Sequence, residues 1–410
     1  MLPIEIIERI LKNCDGKSLL NARKVDENWK TVVEYLTEKT KIWEWCCKEE
    51  IPTNQLIEYM QNYEESDSQK WLNIYINWCS WEEPNKVICD IVLSPVEVQR
   101  ISSIAVSKDF IAVGSQDGRL TIFTTQWKRV FIARILAVRI NSLTFIESSH
   151  TDLGIEICLV ISFPKGLYIF CFDGYNTSQL EVLDVKSHSV YKNFICYEKA
   201  GGRITISKLM THVGRKELVE IWFSRIYSPS SLSCMKMWEG VCTFLINNEV
   251  KIIEYGTAGG PMDIMKKKTN ISFNSPLDSL NIQILRNDII ISLYKNEDDG
   301  NCDFIEFFLL DENGKYSKKL FSTWSIFRCY ITCIYLYGNT LILGSNVGNV
   351  YIYHVSRWKI LDIRDYSHKL IIGKHPIICM DVKETPNERR FYVSSRSNIH
   401  EITGFLPNIY

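Results

Sequence analysis

The feature that most constrains the fold of this chain is a strand–turn–strand pattern that recurs through residues 87–410. Residues 111–123 and 341–353 are the clearest copies, because each places Gly-Ser-x-x-Gly between two apolar runs. Apolar or alternating runs joined by a short glycine-containing turn are typical of paired β-strands. Weaker copies occur at 159–170, 194–206, 244–253, 289–308 and 391–402.

The spacing of these copies predicts how the strands are arranged. Seven copies over residues 98–405 give about 44 residues per repeat, and about 40–45 residues are typical of a four-stranded propeller blade. We therefore predict a seven-bladed β-propeller, in which residues 87–93 supply the outer strand of the last blade and close the ring. A pair of β-sandwiches is the competing architecture, which the regular spacing disfavours.

The β region resembles WD repeats, with clear departures from their pattern. The Gly-His pair that opens such a repeat is absent, and Phe123-Thr124 and Tyr353-His354 stand in place of the closing Trp-Asp. The resemblance implies a β-propeller that presents a target protein.

The first forty residues have a helical period, which predicts three short helices. Pro3 stands in the first turn of a helix, where proline is accepted, and Asp15-Gly16 ends that helix. Residues 17–25 are predicted to form a second helix, and Asp26 is a suitable N-cap for a third. In each helix the apolar residues recur at helical spacing: Ile6, Ile7, Ile10 and Leu11, then Leu19 and Leu20, then Trp29, Val32, Val33 and Leu36.

The same residues resemble the F-box motif. The run Leu2-Pro3-x-Glu5-Ile6-Ile7-x-x-Ile10-Leu11 carries most of the likeness. The resemblance implies docking on the Skp adaptor of a Skp–cullin–F-box ubiquitin ligase, and Val25 and Trp29 are expected to hold the module together. The alternative is a helical cap that buries the same apolar residues internally. By resemblance, the adaptor-binding residues are Leu2, Pro3, Ile6, Ile7, Ile10, Leu11, Leu19 and Leu20.

Two aromatic segments, 41–48 and 69–78, flank an acidic stretch at 63–68 and are compatible with helices. They are similar to the helical linker that joins the box to the propeller in F-box proteins of the WD-repeat type. Their tryptophans are interpreted as packing anchors, with an aromatic cage for a ligand as the alternative. The predicted division is a multidomain α plus all-β chain: an F-box at 1–40, a helical linker at 41–86 and a propeller at 87–410.

Composition excludes several classes of protein. The 410-residue chain has a net charge of −1 and 46 % hydrophobic residues, so neither nucleic acid nor an anionic membrane is an expected partner. No apolar run is long enough to span a bilayer, and no secretory signal precedes the helices. We expect an intracellular protein, cytoplasmic or nuclear, whose 14 cysteines are mostly buried and reduced.

Motifs for catalysis are missing from the sequence. It contains no His-Glu-x-x-His, no phosphate-binding loop and no Gly-x-Ser-x-Gly. We therefore expect no catalytic residue, no cofactor and no metal site, and Lys266-Lys267-Lys268 is interpreted as a solvated loop.

The sequence thus favours a substrate receptor of a ubiquitin ligase, which binds the Skp adaptor, cullin through it, and an unidentified target protein. Phosphorylated targets are one possibility, because Arg119, Arg203, Arg357 and Arg396 lie near predicted turns or strands. Two alternatives stay open. One is a propeller scaffold outside any ligase, and the other is an enzyme with acidic or metal-binding residues gathered at the central channel.

Overall fold

The structure is a computed structural model. It describes residues 2–60, 69–81, 89–96, 98–151, 154–199, 201–212, 215–225, 232–238, 240–246, 248–255, 265–273, 280–295, 302–311, 313–355, 357–385 and 388–405. Six helices come first and a seventh follows within the β region. Their bounds are α1 Ile4–Leu11, α2 Gly16–Ala22, α3 Glu27–Lys39, α4 Ile42–Glu50, α5 Thr53–Met60, α6 Lys70–Trp81 and α7 Thr323–Phe327.

The β region forms seven four-stranded antiparallel sheets, which are the predicted seven blades. Strands are named a to d from the channel outward. Blade 1 consists of β2 Ile101–Val106, β3 Phe110–Ser115, β4 Arg119–Thr124 and β5 Arg129–Arg134. Blade 2 consists of β6 Ser142–Thr151, β7 Gly154–Phe163, β8 Gly166–Phe172 and β9 Thr177–Leu183. Blade 3 consists of β10 Val185–Tyr191, β11 Phe194–Lys199, β12 Arg203–His212 and β13 Arg215–Arg225.

The remaining four blades follow the same order. Blade 4 consists of β14 Leu232–Trp238, β15 Val241–Ile246, β16 Glu249–Glu254 and β17 Met265–Asn270. Blade 5 consists of β18 Leu280–Arg286, β19 Ile289–Lys295, β20 Cys302–Leu310 and β21 Tyr316–Ser322. Blade 6 consists of β22 Ile331–Tyr337, β23 Thr340–Ser345, β24 Asn349–His354 and β25 His368–Ile371. Blade 7 consists of β26 Cys379–Thr385, β27 Glu388–Ser394, β28 Ile399–Phe405 and β1 Cys89–Leu93. The lysine run at 266–268 lies in β17, so its interpretation as a loop was wrong.

The ring closes as the sequence predicted. Strand β1 comes first in the chain, yet it pairs antiparallel with β28 as the outer strand of blade 7, in a register running from Cys89↔Gly404 to Leu93↔His400. Main-chain hydrogen bonds thus tie the segment that leads into blade 1 to the last blade. Seven separate four-stranded sheets exclude the paired-sandwich alternative.

The repeated Gly-Ser-x-x-Gly segment forms the turn between strands b and c, and sterics explain its glycines. Gly118 and Gly348 have φ near +79° and +78°, the left-handed region that favours glycine. A Cβ at Gly118 would lie 2.1 Å from the Leu136 carbonyl oxygen. In both turns the serine hydroxyl accepts a hydrogen bond from the amide four residues later, at 2.9 Å from Arg119 and 3.0 Å from Asn349.

Candidate functional site

Two of the three N-terminal helices begin at a side chain that satisfies their free amide groups. Asp15 caps α2 by accepting a hydrogen bond from the Ser18 amide at 2.7 Å. Asp26 caps α3 as predicted, since its carboxylate accepts from the Asn28 and Trp29 amides at 2.8 and 3.1 Å. Pro3 precedes α1 and supplies no side-chain cap.

Helix α1 is apolar on more than the face that it buries. Ile7 and Leu11 are 1 % exposed and pack into the helical core. Ile6 and Ile10, one turn apart, remain 43 % and 42 % exposed, and Leu2 and Ile4 remain 50 % and 57 % exposed. Monomeric proteins seldom leave such a contiguous group of large apolar side chains in water. This helix therefore carries the strongest candidate for a protein-binding surface.

The eight residues predicted to bind the adaptor do not share one surface. Leu2, Pro3, Ile6 and Ile10 are exposed. The other four lie in the core of the helical module, and their contact with the adaptor stays a prediction: Ile7, Leu11, Leu19 and Leu20. Three short helices need these side chains to bury a core of their own.

Two further positions differ from the sequence-based expectation. Val25 is 62 % exposed and does not hold the module together, whereas Trp29 packs against its core as expected. Ile4 was missed as a surface residue, although its apolar character in the first turn of α1 was a usable signal. We define the exposed α1 surface as Leu2, Pro3, Ile4, Ile6 and Ile10.

The tryptophans of the two aromatic segments, 41–48 and 69–78, are packing residues with one exception. Trp43 is buried and its ring lies 5.5 Å from that of Tyr75, which in turn lies 5.5 Å from Trp78. Trp71 also packs against the core, but Trp45 is exposed, so its interpretation as an anchor was wrong. The acidic stretch at 63–68 lies outside the described residues.

Helix α5, which the sequence did not predict, docks the helical module onto the propeller. The Gln55 amide donates to the Asn339 side chain at 2.8 Å, and the Gly338 amide donates to the Glu58 carboxylate at 3.0 Å. Tyr59 packs edge-on against Tyr337, with their ring centroids 5.4 Å apart. All three contacts are made at the turn between strands a and b of blade 6.

Helix α6 makes a second attachment at blade 7. The buried Arg389 guanidinium on β27 donates to the carbonyl oxygens of Ser80 and Asn77, at 3.2 and 3.0 Å. Both attachments lie on the end of the propeller where strands a and b join. The helical module therefore sits on this a–b end, and in the described ranges of the chain none of these contacts reaches the opposite b–c end.

Three of the four predicted arginines lie on the b–c end. Arg119, Arg203 and Arg396 lie at or beside the b–c turns of blades 1, 3 and 7, and Arg203 is paired with Glu220 at 2.6 Å. Arg357 follows strand c of blade 6 and lies toward the other end, beside Trp358. The structure thus places these arginines on separate blades, at two ends of the ring.

The inner strands of the blades surround a polar central channel of about 850 Å³. Glu58 of α5 reaches its wall from outside the propeller, and burial raises the pKa of this carboxyl to about 7. Burial likewise raises the pKa of Asp381 to about 6 and lowers that of His188 to about 4. Lys236 faces the same channel, where burial lowers the pKa of its ammonium group.

Within the part of the chain that the structure describes, no three His, Cys, Asp or Glu side chains are arranged to hold a metal ion. The described cysteines are free thiols, and most of them are buried. None of the described helices combines the length and apolar character needed to cross a bilayer.

Comparison with known proteins identifies the helical module. Residues 1–41 match the family model of the F-box domain. The chain carries an F-box. This result confirms the resemblance seen in the sequence, and the matched region contains the whole exposed α1 surface. F-box domains generally bind Skp-type adaptors. No curated protein matches the chain in a sequence search.

Proposed function

We propose that this protein is a substrate receptor of a Skp–cullin–F-box ubiquitin ligase. The observation that carries the proposal is an F-box with an uncovered apolar surface, joined through α5 and α6 to a seven-bladed propeller. In this proposal the exposed α1 surface binds the Skp adaptor, and the adaptor connects the chain to cullin. The propeller binds the target protein.

The proposed mechanism is proximity. The hydrogen bonds at Gly338, Asn339 and Arg389 fix the helical module against the propeller, so a bound target is held at a constant distance from the adaptor. Holding two reactants together raises their effective concentration and removes part of the entropic barrier to reaction. Ubiquitin transfer would be performed by the partner enzymes, and this chain would supply no catalytic group.

The b–c end is the side of the propeller that we assign to the target. The helical module occupies the a–b end, and Arg119 and Arg396 are exposed on the b–c end. Exposed guanidinium groups can form charge-assisted hydrogen bonds with carboxylates or phosphates. A target segment that is acidic or phosphorylated would therefore suit this end.

Adaptor binding tests the proposal most directly. We expect the full chain to bind the purified Skp adaptor in isothermal titration calorimetry, and Leu2→Ala/Pro3→Ala to weaken binding at least tenfold. Ile360→Ala/Ile371→Ala is a control, because both of these isoleucines lie on the propeller and are 71 % exposed. No adaptor binding by the full chain would contradict the proposal and favour the alternative, a propeller scaffold outside any ligase.

A further inference from the structure

The central channel contains a lysine that forms no ion pair with any of the described residues. Lys236 lies on β14 and its side chain reaches the space inside the ring. Among the described residues it forms no hydrogen bond and no ion pair, and it interacts with Glu58 and Asp381 only through longer-range electrostatics. The Lys236 side chain is exposed to the channel, so its ammonium group is accessible to an anion that enters the ring.

The two acidic groups of the channel already have donors of their own. Asp381 accepts hydrogen bonds from the Val106 amide at 2.7 Å and the Tyr335 hydroxyl at 3.2 Å, which tie blades 1 and 6 to blade 7. Glu58 accepts from the Gly338 amide at 3.0 Å and is attracted by Arg286. These carboxylates are therefore held by the propeller rather than by Lys236.

Further donors lie beside Lys236. Asn281 and Gln283 are on β18, the inner strand of the next blade, and both line the channel. In the described part of the chain, neither side-chain amide has a hydrogen-bond partner. His188 also lines the channel, but the lowered pKa leaves it neutral at physiological pH. Lys186 on β10 lines the same channel, so two ammonium groups and two amide groups face a common space.

We infer that the central channel is a binding site for a small polar anion that carries carboxylate or phosphate groups, with Lys236 as its counter-ion. The Asn281 and Gln283 amides supply hydrogen bonds to its oxygen atoms. The volume of about 850 Å³ lies within the range of small-molecule sites, about 300–1,000 Å³. Because Glu58 of the linker also lines this channel, the ligand would lie close to the contact between the helical module and the propeller.

The inference is tested with the full chain by isothermal titration calorimetry at constant ionic strength. Citrate is the carboxylate probe, glucose 6-phosphate is the phosphate probe, and uncharged glucose is the matched control. We expect saturable binding at one site for citrate or glucose 6-phosphate, and none for glucose. The probe that binds identifies the head group.

Three variants connect the binding to the channel. Lys236→Gln should weaken it at least tenfold, and Gln283→Ala about fivefold through the loss of one hydrogen bond. Lys128→Gln makes the same change at an exposed lysine on the rim of blade 1 and should leave binding unchanged.

Two results would overturn the inference. One is the absence of saturable binding for both anionic probes. The other is equal affinity in the wild type and in Lys236→Gln, with both proteins shown to be folded by circular dichroism. Neither result depends on the Skp adaptor, so this test is independent of the proposed ligase function.

Discussion

The division of α1 into exposed and buried isoleucines predicts two different effects of truncation. Ile6→Ala/Ile10→Ala removes side chains that are 43 % and 42 % exposed, whereas Ile7→Ala removes one that is 1 % exposed. The first change should weaken adaptor binding at little cost to folding. The second should lower the free energy of unfolding.

The structure sets the size of both effects. Fully burying an isoleucine side chain contributes about 1.5–3 kcal/mol, and Ile6 and Ile10 each have about two fifths of theirs left to bury. Their double truncation should therefore cost about 1–2 kcal/mol of binding free energy, a five- to thirtyfold increase in Kd. Truncating Ile7 leaves a cavity in the core and should cost about 2–5 kcal/mol of stability.

Calorimetry with the Skp adaptor measures the first effect, and urea unfolding measures the second. The exposed pair should change the free energy of unfolding by no more than about 0.5 kcal/mol per residue. The reasoning fails if Ile6→Ala/Ile10→Ala binds as tightly as the wild type. It also fails if Ile7→Ala weakens binding while the protein keeps its full stability.

Three further predictions concern the contact between the linker and the propeller. Gly338→Ala should lower the thermal unfolding temperature, because Gly338 has φ near +55° and an added Cβ would lie 2.2 Å from the Tyr59 hydroxyl. Gly201→Ala is the control for backbone strain alone, because Gly201 has φ near +92° and nothing lies within 4 Å of its new Cβ. Arg389→Met should lower the free energy of unfolding by about 1.5–3 kcal/mol for each hydrogen bond lost to Asn77 and Ser80, and an unchanged urea midpoint would contradict this. Burial raises the pKa of Glu58 from 4.5 to about 7. Between these two pH values the folded state binds more protons than the unfolded state, so the free energy of unfolding should fall as the pH rises from 4.5 to 7. Glu58→Gln should flatten that dependence by about 3 kcal/mol, and equal pH profiles of unfolding for the two proteins would refute the assignment.

Much of the fold follows from local sequence patterns. The helical period of the first forty residues and the Gly-Ser-x-x-Gly turns at 114–118 and 344–348 are each carried by residues close together in the chain. Steric limits on φ and the alternation of side chains along a strand act over the same short distances. The number of copies and their spacing then predict seven blades, and the early strand at 89–93 predicts the closure of the ring.

The functional surface is only partly predictable in this way. Helix α1 is apolar around much of its circumference, so its sequence does not distinguish Ile6 from Ile7. Only the packing of α3 against one side of α1 decides which of the two is buried. The residues carried over from the F-box motif therefore include Ile7, Leu11, Leu19 and Leu20, which the structure buries.

No local sequence pattern predicts which side chains line the central channel. Glu58, Lys236 and Asp381 are separated by more than a hundred residues in the chain, and no motif connects them. They meet because the ring brings every inner strand to one axis, and because α5 packs beneath it. The sequence by itself determined the first three helices, the strand repeats and the number of blades, since each depends on short-range geometry. The tertiary structure decided which apolar residues stay exposed and which charges share the channel, since both depend on contacts between distant parts of the chain.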